Sequence, residues 1–121
     1  IGLFDHPPVG DRMANVTSDA HNQIARETAA KATVLLKNTN NILPLNRQEL
    51  GNCVAVIGDE VTTGGGGSGS VEPPYQITPQ QGIRNALVGT NTQVLYASGL
   101  DVSAAQSLAS SCDTTVLVVA T

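Results

Sequence analysis

Cys53-Val-Ala-Val-Ile-Gly58 is the stretch that decides the fold, and a loop containing Gly64-Gly-Gly-Gly-Ser-Gly-Ser70 follows it. A short apolar run that ends in glycine is typical of a buried strand. Glycines at the carboxyl end of such a strand let the backbone approach a ligand or a neighbouring domain closely. The stretch therefore predicts an α/β protein with a candidate site in this loop, although the glycine run carries no side chain that could perform catalysis.

Helices and strands are predicted to alternate on both sides of this strand. Helical patterns run from residue 19 to about 37, from 78 to 89 and from 102 to 110, and strand patterns cover 53–57, 93–97 and 115–120. Thr78 supplies an N-cap for the second helix, and Gln81 is expected to complete a capping box. The order helix-strand-helix-strand-helix-strand implies parallel pairing. We therefore predict a partial, truncated α/β sandwich with a parallel sheet, in which the apolar run 116–119 forms an interior strand.

Length and charge exclude several classes of function. The chain has 121 residues, enough for one domain, and 40% of them are hydrophobic. Its formal net charge is -4 with only six Lys and Arg residues, which argues against a nucleic-acid partner because phosphate contacts need clustered cations. No apolar run approaches the roughly 20 residues that a membrane span needs. We therefore expect neither nucleic acid nor membrane as a partner.

The two cysteines and the single glycosylation sequon bear on the compartment. Cys53 opens one predicted strand and Cys112 lies just before another, so a disulfide is conceivable if those strands are neighbours. Two small buried hydrophobic side chains are the favoured interpretation. The chain has no CxxC pair and no Cys/His cluster, so no metal site is predicted. Asn15-Val-Thr17 is a sequon that would carry a glycan in a secreted parent.

The glycine loop leaves several interpretations open. Gly64, Gly66 and Gly69 satisfy the G-x-G-x-x-G pattern of dinucleotide sites. That mechanism needs a helix to begin at the glycines, whereas the next helix starts near Thr78. A phosphate-binding P-loop needs a Lys that this loop lacks. A surface loop without function is a further possibility, and a loop that packs beside a sugar site or an adjoining domain is favoured.

Several segments together resemble glycoside hydrolase family 3, the family of many β-glucosidases and β-xylosidases. The segments that carry the resemblance are Gly2-Leu-Phe-Asp5 with Asp11-Arg12, Ala29-Ala-Lys31, Val34-Leu-Leu-Lys-Asn38, Asn41-Ile-Leu-Pro-Leu45, Val54-Ala-Val-Ile-Gly58, Gly65-Gly-Gly-Ser-Gly-Ser-Val71 and Thr78-Pro-Gln-Gln-Gly-Ile83. Their order and spacing agree across nearly the whole chain. The resemblance implies that residues 1–18 form the linker that leaves a catalytic (β/α)8-type barrel, and that 19–121 open the family's C-terminal α/β domain.

The resemblance also implies a retaining mechanism with two carboxyl groups and no metal or cofactor. The Asp nucleophile is expected on the barrel, and the Glu acid/base beyond the strand at 116–120, so no catalytic residue is assigned within this chain. Asp59, Glu60 and Glu72 are interpreted as solvated loop charges. The loop would face the barrel and shape a sugar subsite, and its candidate substrate-binding residues are Gly66, Gly67, Ser68, Gly69 and Ser70.

The expected parent therefore hydrolyses terminal β-linked glucose or xylose, and its compartment is not fixed, although secretion is favoured. The fragment alone is expected to be inactive and marginally stable. Two rivals stay open. A non-catalytic sugar-binding or interaction module would bind glucose or cellobiose weakly, and a nucleotide-binding α/β protein would respond to NAD or ATP.

Overall fold

A computed structural model of the chain describes residues 1–11, 13–58, 67 and 73–119. These residues divide into two compact units, Ile1–Thr39 and Asn40–Thr121. The first unit contains one helix, α1 (Asp19–Ala32), and a short 3-10 segment, Thr39–Asn41, lies at the boundary. The linker and domain limits expected at residues 1–18 and 19–121 remain predictions.

Helix α1 begins at the predicted residue but ends earlier than predicted. The Ser18 hydroxyl caps it by accepting a hydrogen bond from the His21 backbone N–H at 3.2 Å. Thr33 is extended and donates both its N–H and its Oγ1 hydroxyl to the Ala29 carbonyl, at 3.1 and 2.9 Å. The helix was expected to reach about Lys37, and this expectation is wrong because the β-branched pair Thr33-Val34 favours extended backbone.

The second unit is built on a three-stranded parallel sheet. Its strands are β1 (Cys53–Gly58), β2 (Gln93–Ser98) and β3 (Thr114–Val118), and their order is β2-β1-β3. Every residue of β1 is buried, so this strand is the interior one. The predicted order of helices and parallel strands is confirmed.

Strand β3 does not take the interior position that its apolar sequence suggested. Among the described residues it lies at the edge of the sheet, paired only with β1. Leu117 in β3 and Val119 directly after it are 65% and 75% exposed. The continuous apolar run was expected to mark a strand with neighbours on both sides, but here only one side has a described partner.

Two further helices connect the strands. Helix α2 (Pro79–Ala86) is capped by Thr78, whose hydroxyl accepts from the Gln81 N–H at 3.2 Å, as predicted. The capping box is not completed, because the Gln81 side chain donates to Asn85 Oδ1 at 2.7 Å instead. Helix α3 (Val102–Ser111) is capped by Asp101, whose Oδ1 accepts from the Ala104 N–H at 2.9 Å.

The two helices cover opposite faces of the sheet and create two small cores. On the α2 side the buried residues are Leu50, Val54, Val56, Leu87 and Val94, with Leu45 and Ile83 packed against them. On the α3 side they are Ala55, Ile57 and Ala97, with Ala105, Leu108 and Cys112 packed against them. The alternation of side chains along β1 explains this division, because successive residues point to opposite faces.

Cys53 and Cys112 form a disulfide, with their Cα atoms 5.1 Å apart. The favoured interpretation of two separate buried thiols was therefore wrong. The sheet order explains the difference, since β3 lies directly beside β1 and the residues that enter these strands meet at the amino edge. The disulfide ties the start of β1 to the end of α3.

Candidate functional site

The carboxyl edge of the sheet is the candidate functional site. The connection from β1 to β2 passes over one face through α2, and the connection from β2 to β3 passes over the other face through α3. The direction of winding therefore changes between β1 and β3. Ligands of open α/β sheets bind outside the carboxyl ends of the strands at such a point. In this sheet β1 ends at Gly58 beside the change of winding, and the glycine loop follows Gly58 in the sequence.

Gly58 brings three chain segments into backbone contact. Its φ is +130°, which L side chains rarely adopt, and a Cβ placed on it would overlap the Val118 carbonyl. A Cβ on Gly99 would likewise lie 3.2 Å from the Gly58 Cα. The end of β1 therefore accepts no side chain, and only a glycine lets the ends of all three strands approach this closely.

Two donors hold the carbonyl of Gly58 at the entry to the loop. The Tyr96 hydroxyl donates to it at 2.9 Å and the Gly99 N–H donates at 3.3 Å. Both donors come from β2 and the turn that follows it. The last residue of β1, which the glycine loop follows, is therefore held by the neighbouring strand as well as by its own. Sequence reasoning did not identify Tyr96, because its contact depends on the register between β1 and β2.

The predicted loop residues are only partly covered by the structure. Gly67 is exposed with φ +62°, and a Cβ on it would meet nothing within 4 Å. Gly66, Ser68, Gly69 and Ser70 lie outside the described residues. The predicted solvated charges Asp59, Glu60 and Glu72 lie outside them as well. The proposed sugar contacts of this loop therefore remain predictions.

Two described carboxylates of the second unit already serve as hydrogen-bond acceptors for the backbone. Asp101 caps α3 at the carboxyl edge of the sheet. Asp113 accepts from the Asn52 N–H at 3.1 Å at the opposite edge. Both side chains are thus engaged by the local backbone, which accounts for their positions structurally.

The geometry does not favour a dinucleotide site at the G-x-G-x-x-G pattern. Such a site needs the helix N-terminus directly at the glycines, where it can meet the pyrophosphate. Helix α2 begins at Pro79, beyond the Pro73-Pro74 pair. The predicted separation between loop and helix is confirmed.

A polar cleft of about 280 Å³ lies at the amino edge of the sheet, opposite the glycine loop. Its lining residues are Arg47, Gln48, Gly51, Gly89, Thr90, Asn91 and Thr92. Its longest side chain is engaged, since Arg47 donates to the Val88 carbonyl at 3.0 Å. Thr92 similarly donates to the Gly51 carbonyl at 3.0 Å. These contacts tie loops together, and the cleft offers no acid and base pair.

The sequon lies in the first unit. Asn15 is exposed, and its Oδ1 accepts a hydrogen bond from the Thr17 N–H at 3.0 Å. Over the part of the chain that the structure describes, no group of three or more His, Cys, Asp or Glu side chains is placed to hold a metal ion. No helix in that part is both long and apolar enough to cross a membrane.

Comparisons with known proteins agree on one family. The model of the glycosyl hydrolase family 3 C-terminal domain matches residues 33–121. The chain is similar to beta-glucosidase B of Emericella nidulans, with 35% identity over 102 residues that cover 82% of this chain and 12% of the relative. It is also similar to a beta-xylosidase of Formosa agariphila, with 32% identity covering 98% of this chain and 19% of the relative.

A third relative is the probable beta-glucosidase K of Aspergillus fumigatus, with 44% identity over 80 residues, 64% of this chain and 10% of the relative. The chain thus spans between a tenth and a fifth of the length of these three relatives. No solved structure gives a significant match.

Proposed function

This chain belongs to glycosyl hydrolase family 3, and we propose that it is the first part of the C-terminal α/β domain of a retaining β-glycosidase. The parent enzyme would hydrolyse terminal β-linked glucose or xylose. The observation that carries this proposal is the match over residues 33–121, which includes all three strands and the glycine loop. One relative is named a beta-glucosidase and another a beta-xylosidase, so glucose and xylose are the two candidate sugars of the substrate.

The glycine loop would contribute a sugar subsite. It leaves β1 at the change of winding, where α/β sheets bind ligands. Gly58, directly before it, is held by two hydrogen bonds to its carbonyl, so the glycine loop would leave from a fixed strand end. Its backbone N–H groups and the hydroxyls of Ser68 and Ser70 would then reach sugar hydroxyls or the backbone of the adjoining barrel.

Catalysis would depend on two carboxyl groups outside these 121 residues. In a retaining glycosidase one carboxylate attacks the anomeric carbon, and the other group first protonates the leaving oxygen and then deprotonates water. The two groups stand about 5 Å apart in such enzymes. We propose an Asp on a preceding (β/α)8-type barrel and a Glu beyond residue 121, as the family resemblance implies. Asp101 and Asp113 are already hydrogen-bond acceptors for the local backbone.

Activity of the full-length protein tests the function. We expect it to release glucose or xylose from aryl β-glycosides, and the first sugar product seen by NMR should have the β configuration. Initial release of the α-anomer would contradict the retaining mechanism. Absence of hydrolysis of both glycosides, under conditions where the protein is folded, would overturn the assignment as a β-glycosidase.

The isolated 121-residue chain should show no hydrolysis above the buffer rate. Titration of the same sample with glucose and cellobiose, followed by NMR, separates the remaining possibilities. Saturable sugar binding without hydrolysis would favour a non-catalytic binding module. Hydrolysis by the isolated chain would contradict the proposal that both carboxyl groups lie elsewhere.

A further inference from the structure

We infer that Asn15 carries an N-linked glycan, and that the chain matures in an oxidising secretory compartment. This inference is independent of the proposed catalytic function. It rests on two separate observations, the accessible sequon Asn15-Val16-Thr17 in the first unit and the disulfide Cys53–Cys112 in the second. The sequon is a substrate for glycan transfer, and the disulfide requires oxidation of two thiols.

The acceptor side chain is available for modification. Asn15 and both other sequon residues are exposed, and Val16 is 73% exposed. The Asn15 Oδ1 accepts from the Thr17 N–H, which orients the amide and leaves its Nδ2 without a described partner. This hydrogen bond closes a turn of the Asx type over residues 15–17, which ends directly before Ser18, the cap of α1. A glycan on Nδ2 would therefore project from a defined turn and would displace no packed side chain.

The disulfide supplies the argument about compartment. Disulfides persist in secreted proteins and in the lumen through which they pass, whereas reducing agents of the cytosol keep thiols reduced. The bridge joins residues separated by 59 positions and lies between two elements of the sheet unit. The bridge is part of the packed structure, since Cys53 is buried and Cys112 packs against the core on the α3 side. In a eukaryote, the secretory lumen in which such a bridge forms is also the compartment in which N-glycosylation occurs.

The modification is a group transfer with a defined balance. The Asn15 Nδ2 attacks C1 of the first N-acetylglucosamine of a lipid-pyrophosphate-linked oligosaccharide. The bond between C1 and the phosphate oxygen breaks, and the lipid pyrophosphate leaves with the electron pair. Nδ2 loses one proton to a base of the host's transferase. The product is an N-glycosidic bond on Asn15, and neither oxidant nor reductant is consumed.

Peptide mapping of the full-length protein from its native source tests the inference. Trypsin cleaves after Arg12 and Arg26, so the peptide 13–26 contains Asn15 together with Asn22, which is not in a sequon. We expect the plain peptide to be nearly absent before treatment. Digestion with peptide N-glycosidase in heavy-oxygen water should release it with position 15 converted to a labelled aspartate and Asn22 unchanged.

Three outcomes would overturn the inference. The first is a plain peptide 13–26 that dominates the untreated digest. The second is label on Asn22 instead of Asn15. The third is a native protein in which Cys53 and Cys112 are both recovered as free thiols, because this would remove the argument for an oxidising compartment.

Variants of the full-length protein, secreted from a eukaryotic host, give a second test. Thr17→Ala should abolish the glycan and lower the apparent mass on a gel by the amount that glycosidase treatment removes. Thr17→Ser keeps the sequon and should retain the glycan, and Asn22→Gln should change nothing. A glycan of equal occupancy in Thr17→Ala and the parent would show that the sequon is not used.

Discussion

The Tyr96 hydroxyl donates a hydrogen bond to the Gly58 carbonyl across 2.9 Å, so the last residue of the central strand is held by a side chain from the edge strand. We expect Tyr96→Phe to lower the free energy of unfolding of the full-length protein by about 0.5–1.5 kcal/mol, the usual net value of one hydrogen bond. Because the bond lies at the entry to the glycine loop, the variant should also raise KM for the glycoside more than it lowers kcat.

Tyr75→Phe is the matched control for this prediction. Tyr75 is 52% exposed and makes no hydrogen bond with any described residue. The Tyr75→Phe variant should have a free energy of unfolding and a KM close to those of the parent. Equal KM values for Tyr96→Phe and the parent would show that the hydrogen bond does not position the loop.

Gly58→Ala should be the most damaging glycine substitution among the described residues. The new Cβ would overlap the Val118 carbonyl, and φ +130° is strained for alanine. Strain and overlap together should cost about 3 kcal/mol or more. Urea unfolding measures the loss, and failure to obtain soluble protein would agree with it.

Gly82→Ala, in the same unit, should change the free energy of unfolding in the opposite direction. Gly82 lies in α2, and a Cβ on it would make only an ordinary contact of 3.8 Å with Ile77 Cγ2. Alanine should stabilise the helix by about 0.5–1 kcal/mol. A destabilised Gly82→Ala, or a Gly58→Ala with parental stability, would contradict this account of the two positions.

Loss of the disulfide should destabilise the fold without changing its topology. The bridge closes a loop between residues separated by 59 positions. We expect the double variant Cys53→Ala/Cys112→Ala to lose about 2–4 kcal/mol, because the unfolded chain regains the entropy that the bridge removed. Reductant should lower the urea midpoint of the parent but leave that of the double variant unchanged. A midpoint in the parent that does not respond to reductant would contradict the bridge.

The isolated 121 residues should be marginally stable and should self-associate. Edge strand β3 exposes Leu117, and Val119 directly after it is exposed as well; an unpaired apolar edge is a template for pairing with another chain. Sedimentation velocity should therefore show concentration-dependent association, and thermal circular dichroism should show a broad transition. A sharp cooperative melt together with protease resistance would contradict this prediction.

Leu117→Lys should reduce this association, because a charge on the edge strand opposes pairing. Leu100→Lys is the control, since Leu100 is 90% exposed in the turn between β2 and α3. Similar effects of both substitutions would indicate that general charge, rather than the β3 edge, controls association.

The order of elements could be predicted because its signals are local. Apolar runs, a cap at Thr78 and glycine at Gly58 are visible in short windows of sequence, and the strands agree with the predicted limits to within two residues. The end of α1 was missed because the apolar pattern continues through Val34 and Leu35 even though the backbone becomes extended at Thr33. Periodicity alone does not separate these two conformations.

The contacts that define the site could not be predicted, because they depend on which strands are neighbours. The disulfide required β3 to lie beside β1, and nothing in the spacing of Cys53 and Cys112 fixes that order. The Tyr96 contact requires the register that aligns Val56 with Tyr96 and Gly58 with Ser98. The sugar contacts proposed for residues 66 and 68–70 remain predictions for a different reason, since these residues lie outside the described chain.

The position of the disulfide has a consequence for how the sheet would open. A covalent link fastens β1 and the approach to β3 at their amino ends, whereas at their carboxyl ends the two strands are joined by hydrogen bonds and van der Waals contact alone. Separation of β3 from β1 would therefore start at Val118, while Gly58 stays hydrogen-bonded to Tyr96 and Gly99. The central strand is thus tied covalently to the approach to β3 at the amino edge and by side-chain and backbone hydrogen bonds to β2 at the carboxyl edge, so its two neighbours secure opposite ends of it.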